Sequence, residues 1–305
     1  GKDLEQFISD FWSCCELLGL FNAHENKNID WQKSMLSQNQ QMMYQLHPIL
    51  PCVMDVTIRY QYQKQLFIDF FLSMQIDGRD NKEWVVCKSL EDLELYMKGS
   101  AAVIGDFMLP ILMPDEIVLK EGNRESSCLE DAKEYCNKKR SEALPFARSL
   151  GNAFQLTNMI RDIEEDLQLK RHYMPLNMCH EASKEIGKKN DDANSAEEPL
   201  CLADRSSNYT KESYYCFMDN IMKKAEKYYE EADVGIDMLP KHEGIQNLIR
   251  LARACYSRIH DEIKNKGYKI FDGQRCVVAK REKARIARQL LPLSQYVKTT
   301  FYNVY

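Results

Sequence analysis

Polar side chains recur at helical spacing between residues 151 and 175, and this pattern constrains the fold more than any other part of the chain. The segment reads GNAFQLTNMIRDIEEDLQLKRHYMP, with an apolar beginning and an acidic middle. At 3.6 residues per turn, Asn158, Asp162 and Asp166 fall on one face of a helix, which we call the polar stripe. The spacing therefore predicts a helix that presents amide and carboxylate oxygens from one side.

The oxygens of the polar stripe suit a hard cation. Mg²⁺ that is held by few carboxylates normally completes its octahedral shell with water and substrate phosphates. We therefore predict a site for Mg²⁺ and a diphosphate, with Gln155 beside it and with the metal ligands Asn158, Asp162, Glu165 and Asp166. A solvated acidic helix face is the alternative, but such a face needs no amides within an apolar run.

Composition and periodicity favour helices over strands. Only 12 glycines and 9 prolines occur in 305 residues, and abundant Glu, Lys, Leu and Gln are typical of helical proteins. No alternation of apolar and polar residues is long enough for a sheet. We predict a capping box at Ser89 and Asp92, a kink or restart at Pro145 and a mobile loop over 177–209. Besides the helix that carries the polar stripe, the predicted helices span 3–20, 30–47, 52–60, 66–76, 90–113, 125–142, 210–236, 241–266 and 276–290.

Charge and cysteine usage limit the classes of partner. A formal charge of −5 gives no electrostatic case for binding nucleic acid or an anionic membrane. No run of about eighteen apolar residues occurs, which predicts no transmembrane segment. The 11 cysteines lack CxxC spacing and favour a reducing compartment. We expect a soluble intracellular protein of the cytoplasm or the plastid stroma, between which the sequence does not distinguish.

The run QLTNMIRDIEED followed by KRHYMP is similar to the second aspartate-rich motif of the squalene/phytoene synthase family. Segments 71–77, 93–112 and 254–283 also resemble family segments, in the family's order. The resemblance implies one all-α domain over 1–305, a class I isoprenoid synthase helical bundle with a central apolar cavity. It also implies Mg²⁺-dependent ionisation of an allylic prenyl diphosphate.

The resemblance extends to individual residues. It implies catalytic roles for Asp162, Asp166 and Tyr173. The implied diphosphate contacts are Gln155, Asn158, Lys170, Arg171 and Tyr256. Residues 170–173 would form a flap, in which Arg171 grips phosphate oxygens and Tyr173 donates a hydrogen bond, although helix-end charges paired with the macrodipole are the alternative. Lys283, like Tyr256, falls at a family-like position, whereas Arg275 and Arg281 are possible phosphate contacts that are more typical of surface charges.

The chain departs from the family at the first aspartate-rich motif. The corresponding segment is Asp10-Phe11-Trp12-Ser13-Cys14, which keeps one carboxylate. A phenyl ring cannot bind Mg²⁺, and a thiol is a soft ligand that a hard cation does not select. A complete first metal site is therefore not expected.

The altered motif favours one diphosphate and a different acceptor. The chain resembles an algal branch of the family that N-prenylates an amino acid, for example by geranyl transfer to glutamate in kainoid biosynthesis. Phe11, Trp12 and Cys14 would then line the acceptor space, and an inward cation, Lys98 or Arg59, would bind the acceptor's carboxylates. Small residues over 99–105 predict either close helix packing or room for the isoprenoid tail. Head-to-head joining of two prenyl diphosphates, and a catalytically silent assembly factor, are the alternatives.

Overall fold

A computed structural model of the chain describes residues 2–21, 29–78, 84–122, 129–185, 211–241, 244–269 and 275–291. The chain divides into two compact units, 1–80 and 81–305. The single domain over 1–305 that the sequence predicts stays a prediction.

Four helices form the described part of the first unit: α1 (Lys2–Leu17), α2 (Ile29–Leu46), α3 (Leu50–Tyr60) and α4 (Lys64–Asp77). The apolar face of α1 packs on aromatic side chains of α4, because the ring of Phe11 lies 4.8 Å from that of Phe67 and 5.0 Å from that of Phe71. A proline in the first turn of α3 suits a position where no backbone donor is needed. The four helices predicted for this region are confirmed, with ends that differ by at most three residues.

The second unit contains a capped helix near its beginning. α5 (Leu90–Met97) starts after Ser89, whose side chain and that of Asp92 form the predicted capping box. The helix continues through a π-helical turn (Lys98–Ala102) into α6 (Val103–Leu112), and α7 (Asp115–Glu121) follows. The helix predicted over 90–113 is confirmed, whereas the π-helical turn and α7 are additions that the periodicity does not reveal.

Within the described residues, Leu90–Leu112 is the one stretch with the length and apolar composition to cross a membrane, a test that core helices also pass. The sequence predicts no transmembrane segment because it lacks an uninterrupted apolar run of that length. The stretch Leu90–Leu112 is interrupted by the charged residues Lys98 and Asp106. A Cβ added at Gly105 would lie 2.6 Å from the carbonyl oxygen of Ala147. α6 therefore packs backbone to backbone against a neighbouring helix at this position.

The longest described helix, α8 (Leu129–Arg161), runs unbroken through Pro145. The predicted restart at Pro145 is therefore wrong, whereas a kink there stays a prediction. A proline inside a helix forfeits a backbone hydrogen bond and costs about 3 kcal/mol. However, α8 packs extensively against α6 and against α11 (Lys211–Met238), and this burial offsets the cost.

The remaining elements follow α8 in the order α9 (Ile163–Gln168), α10 (Leu176–Glu185), α11, α12 (Ile245–Asn265) and α13 (Lys280–Leu290). α10 occupies the start of the predicted mobile loop, so that prediction is wrong there, and 186–210 lie outside the described residues. Two short strands, β1 (Val85–Val86) and β2 (Arg171–His172), pair in parallel. The helices predicted near α11, α12 and α13 and the all-α class are confirmed.

Candidate active site

The polar stripe lies where α8 ends and α9 begins. Asp162 separates the two helices with φ −103° and ψ 17°. Its N–H nevertheless donates to the carbonyl of Asn158 at 2.8 Å, and its carbonyl accepts from the N–H of Asp166 at 2.9 Å. The three residues therefore keep the predicted helical spacing. They are half-buried, as is Gln155, while Glu165 is exposed.

Two guanidinium groups flank the carboxylate of Asp162. Arg161 donates two hydrogen bonds to it, at 2.7 and 2.6 Å, and Arg275 donates two more, at 2.9 and 2.6 Å. Burial raises the pKa of Asp162, but the hydrogen bonds from Arg161 and Arg275 outweigh it and leave that pKa below its ordinary value. The site therefore holds an ionised carboxylate together with two cations that suit phosphate oxygens.

The amide of Asn158 contains an acceptor without a partner. Its Oδ1 is buried, and no residue in the described part of the chain donates a hydrogen bond to it. An unsatisfied buried polar atom costs about 1–3 kcal/mol. A cation bound to Oδ1 of Asn158 would therefore remove this energetic cost.

The oxygens of the polar stripe fit a divalent cation that takes its remaining ligands from water or phosphate. No cluster of three or more His, Cys, Asp or Glu side chains suited to a metal occurs in the described ranges. Mg²⁺ characteristically binds one or two carboxylates and takes its remaining oxygens from water and phosphates. Asn158, Asp162 and Asp166 would hold such an ion only if Arg161 and Arg275 yield an oxygen of Asp162.

An apolar cavity of about 220 Å³ lies between α6, α8, α11 and α12. Its wall on α8 includes Gly151 and Phe154, and its wall on α6 includes Gly105, so small residues here serve both helix packing and open space. Asn158 follows Phe154 by one turn, and Asp162 lies about 12 Å beyond Phe154 at 1.5 Å per residue. The helix face that lines the cavity therefore ends at the polar stripe, which suits a ligand with a hydrocarbon tail and an anionic head.

Tyr256 reaches the polar end of the cavity from α12. Its ring centroid lies 4.4 Å from that of Phe154. The hydrogen bonds with Asp162 raise the pKa of Arg275, and electrostatic interactions with Glu165 and Tyr256 act in the same direction. Glu165 and Tyr256 therefore lie near Arg275, as the prediction of one site requires.

Residues 170–172, which the sequence assigns to a flap, pair with β1. The carbonyl of Lys170 accepts a 3.0 Å hydrogen bond from Val85, and that of His172 accepts one from Cys87. Lys170 adopts φ 56°, a left-handed conformation at the start of this pairing. Both Lys170 and Arg171 are half-buried. Backbone hydrogen bonds hold the segment on β1 in this structure, and its role as a flap stays a prediction.

Tyr173 packs into the core beside Tyr96. The two rings stack with centroids 4.8 Å apart, and their hydroxyl oxygens are 3.4 Å apart. Tyr173 and Arg171 also line a small hollow that includes Asp166. Tyr173 therefore lies close to the polar stripe, but its hydroxyl is buried against Tyr96.

The segment that replaces the first aspartate-rich motif lies on α1. Phe11 and Cys14 are buried, and Phe11 packs among the aromatic rings of the first unit. Asp10 is half-buried and accepts a 2.9 Å hydrogen bond from the side chain of Gln6. The prediction that Phe11 and Cys14 line an acceptor space is wrong, because both side chains are consumed by core packing.

The cations proposed for the acceptor are exposed. Arg59 forms an ion pair of 2.8 Å with Asp55 one turn away, and Lys98 lies on the surface of the π-helical turn. The prediction of an inward cation is therefore wrong for both residues. The cations that the structure places beside the polar stripe are Arg161 and Arg275, both paired with Asp162. Sequence reasoning missed Arg161, although its position directly before Asp162 is a local signal.

Comparisons with known proteins identify the family of the chain. A sequence profile of squalene/phytoene synthase matches residues 22–282. The phytoene synthase of Arthrospira platensis is 28% identical over 258 residues, which cover 82% of this chain and 69% of that protein. A chloroplastic phytoene synthase of an Oncidium hybrid cultivar is 27% identical over 229 residues, which cover 75% of this chain and 46% of that protein. The chain thus spans about half the length of that relative.

Two solved structures share the fold. A dehydrosqualene synthase in complex with a ligand superposes with a TM-score of 0.54 at 18% identity, over 98% of this chain and 89% of that one. YisP from Bacillus subtilis superposes with a TM-score of 0.52 at 14% identity, over 94% and 98%. At these identities the likeness concerns the fold alone, and it confirms the predicted class I isoprenoid synthase bundle.

Proposed function

We propose that this chain, which belongs to the squalene/phytoene synthase family, is a Mg²⁺-dependent prenyltransferase that ionises an allylic prenyl diphosphate. The observation that carries the proposal is the course of α8, whose cavity-lining face at Phe154 leads to Asn158 and Asp162. The cavity would take the prenyl tail, and the polar stripe would take the diphosphate. The family resemblance supports the same assignment.

The residues of the stripe divide the work. Asn158, Asp162 and Asp166 would hold Mg²⁺, which when bound neutralises the leaving diphosphate. Arg161 and Arg275 would transfer hydrogen bonds from Asp162 to phosphate oxygens as the anion arrives, since guanidinium groups bind phosphate in two-point geometry. The ion pairs seen here would therefore be the resting state of the site.

The apolar part of the site protects the carbocation. The cavity wall is almost wholly apolar, so it offers few hydrogen-bonding partners to water, which would otherwise capture the cation. Phe154 and Tyr256 lie at the polar end, where aromatic rings attract a positive charge by about 0.5–2 kcal/mol. These rings would stabilise the cation at the place where the C–O bond breaks.

The finer proposal concerns the acceptor. We propose a small acceptor without a diphosphate, namely the amine of an amino acid, as in geranyl transfer to glutamate. The C–O bond of the donor breaks, a C–N bond forms, and the amine loses a proton. Support comes from α1, where Phe11 and Cys14 are core residues and supply no ligands for a second metal-bound diphosphate. Head-to-head joining is the second candidate, which the phytoene synthases among the relatives favour.

One experiment separates these functions. Purified protein is incubated with Mg²⁺ and with C5, C10, C15 or C20 diphosphates, with and without pooled amino acids, and products are read by mass spectrometry. An N-prenyl amino acid is the expected product, and it should be lost in Asp162→Asn and Asp166→Asn but retained in the surface control Glu116→Gln. A hydrocarbon made without amino acids would favour head-to-head joining. A protein that binds no Mg²⁺ and diphosphate would be the silent family member.

A further inference from the structure

A buried polar triad joins three helices of the second unit. Thr157 on α8 lies with its Oγ1 2.9 Å from the hydroxyl of Tyr229 on α11 and 3.0 Å from Nε2 of His260 on α12. All three side chains are buried. We call these residues the buried triad, and no part of the proposed chemistry above uses them.

The donor and acceptor capacities of the three side chains determine where the protons of the buried triad lie. The single hydroxyl proton of Thr157 goes to the carbonyl of Ala153 at 2.8 Å, because a carbonyl can only accept. Tyr229 and His260 must then both donate to Oγ1, so His260 carries its proton on Nε2. Burial, followed by the charge of Lys264, lowers the pKa of His260 to about 4, so the ring is neutral at pH 7.

The buried triad lies directly beneath the polar stripe. Thr157 immediately precedes Asn158, and Asp162 follows Asn158 by one helical turn. α12 contacts α8 at two successive turns, through Tyr256 on Phe154 and through His260 on Thr157. The last turns of α8 are therefore held by α12 along the same edge that carries the candidate site.

The far side of the buried triad is also held in place. The guanidinium carbon of Arg253 lies 4.9 Å from the ring centroid of Tyr229. Arg253 also forms ion pairs of 3.1 Å with Glu226 and 3.0 Å with Asp233, both on α11. These contacts join α12 to α11 around Tyr229, so the donor to Thr157 has a fixed position.

We propose that His260 and Tyr229 are positioning residues, whose hydrogen bonds to Thr157 set the rotation of the last turns of α8 and thereby aim Asn158 and Asp162 at the metal-bound diphosphate. The inference rests on the proposed function. Hydrogen bonds depend on angle, whereas apolar contacts leave a helix free to rotate slightly. With side chains about 5–6 Å from the helix axis, a rotation of about 20° moves them by about 2 Å.

A displacement of that size matters for the site. A misplacement of about 1 Å at reacting groups can cost about 10²-fold. A ligand set made of one amide and two carboxylates is sensitive to it, because Mg²⁺ demands near-ideal octahedral geometry. The buried triad therefore acts on the site through direction rather than through contact with the ligand.

The test measures binding of Mn²⁺ in the presence of inorganic diphosphate, by electron paramagnetic resonance, together with thermal unfolding. Thr157→Val removes the hydroxyl at constant shape, and Thr157→Ser keeps it. His260→Leu removes the donor. We expect Thr157→Val and His260→Leu to weaken Mn²⁺–diphosphate binding at least tenfold and Thr157→Ser to bind like the wild type.

A matched control separates positioning from general loss of packing. Gln246 is as deeply buried as His260 and also ties α12 to the end of α11, since its Nε2 donates to the carbonyls of Asp237 and Leu239 at 3.1 and 2.5 Å. Gln246→Leu should lower the unfolding temperature without changing Mn²⁺–diphosphate binding.

The outcomes decide between the proposals. Wild-type binding in both Thr157→Val and His260→Leu would overturn the positioning role, and so would an equal loss of binding in Gln246→Leu. If His260→Leu does not fold, the comparison of Thr157→Val with Thr157→Ser decides alone. Absence of Mn²⁺–diphosphate binding in the wild-type protein would overturn the proposed function, and this inference with it.

Discussion

Replacement of Asp162 by Asn tests the centre of the candidate site. The change keeps the shape of the side chain but removes the charge that Arg161 and Arg275 share. The side chain of Asp162 is 14% exposed and that of Arg161 12%, whereas that of Arg275 is 55% exposed. Arg275 can therefore turn to water, but Arg161 loses its partner where water cannot replace it.

The expected loss of stability follows from these exposures. Breaking a buried ion pair costs about 3–5 kcal/mol, while an exposed pair contributes about 0–1 kcal/mol. Because this site is only partly buried and Asn still accepts hydrogen bonds, we expect Asp162→Asn to lower the free energy of unfolding by about 2–3 kcal/mol at pH 7. Loss of one well-placed electrostatic group lowers the turnover rate about 10²–10³-fold, and we expect a decrease of that size in Asp162→Asn.

The pH dependence supplies an internal check. The folded-state pKa of Asp162 is lowered, so its contribution to stability is present above the unfolded value of about 3.9 and is lost as pH falls through the folded value. The difference between wild type and Asp162→Asn should therefore shrink below about pH 4. Urea unfolding followed by circular dichroism at several pH values measures it.

A second ion pair provides the control for Asp162→Asn. Arg140, itself largely buried, pairs with the more exposed Asp115, away from the polar stripe. Asp115→Asn should lower stability but leave Mn²⁺–diphosphate binding and turnover unchanged. Unchanged binding and turnover in Asp162→Asn would refute the assignment of the site, and an unchanged free energy of unfolding would refute the electrostatic argument.

Three further predictions address the surroundings of the site. Gly151→Ala would place a Cβ 2.5 Å from the carbonyl oxygen of Ala101, so we expect a loss of about 1–3 kcal/mol in urea unfolding; an unchanged midpoint would contradict the close packing. The pKa of His260 is lowered to about 4, so the unfolded chain binds more protons than the folded chain between about pH 4 and 6.5. The free energy of unfolding should therefore fall by up to about 3 kcal/mol as pH drops through that range. His260→Leu should flatten this dependence, and an unaltered pH profile would count against it. Ala143 lines the cavity about 16 Å from Phe154 along α8, so Ala143→Leu should reduce turnover of a C20 donor more than that of a C10 donor; equal effects would argue against a tail that reaches this depth.

The sequence by itself determined the features that depend on local spacing. Helical periodicity predicts α1 to α4 and the long helix from α5 to α6, and the capping box at Ser89 follows from two residues three positions apart. The polar stripe is also local, since backbone hydrogen bonds keep Asn158, Asp162 and Asp166 at helical spacing across the junction of α8 and α9. Backbone hydrogen bonding sets these relations whatever the rest of the chain does.

Tertiary packing alone decided which groups meet the stripe. Arg275 reaches Asp162 across 113 residues, and the partners of Thr157 in the buried triad lie 72 and 103 residues away. No periodicity encodes such pairs, because each depends on the relative rotation of helices that are distant in sequence. The same reason explains Pro145, whose expected break is overridden because α8 buries its length against α6 and α11. Local sequence therefore places the oxygens of the candidate site, and packing between distant helices determines their charge partners and their direction.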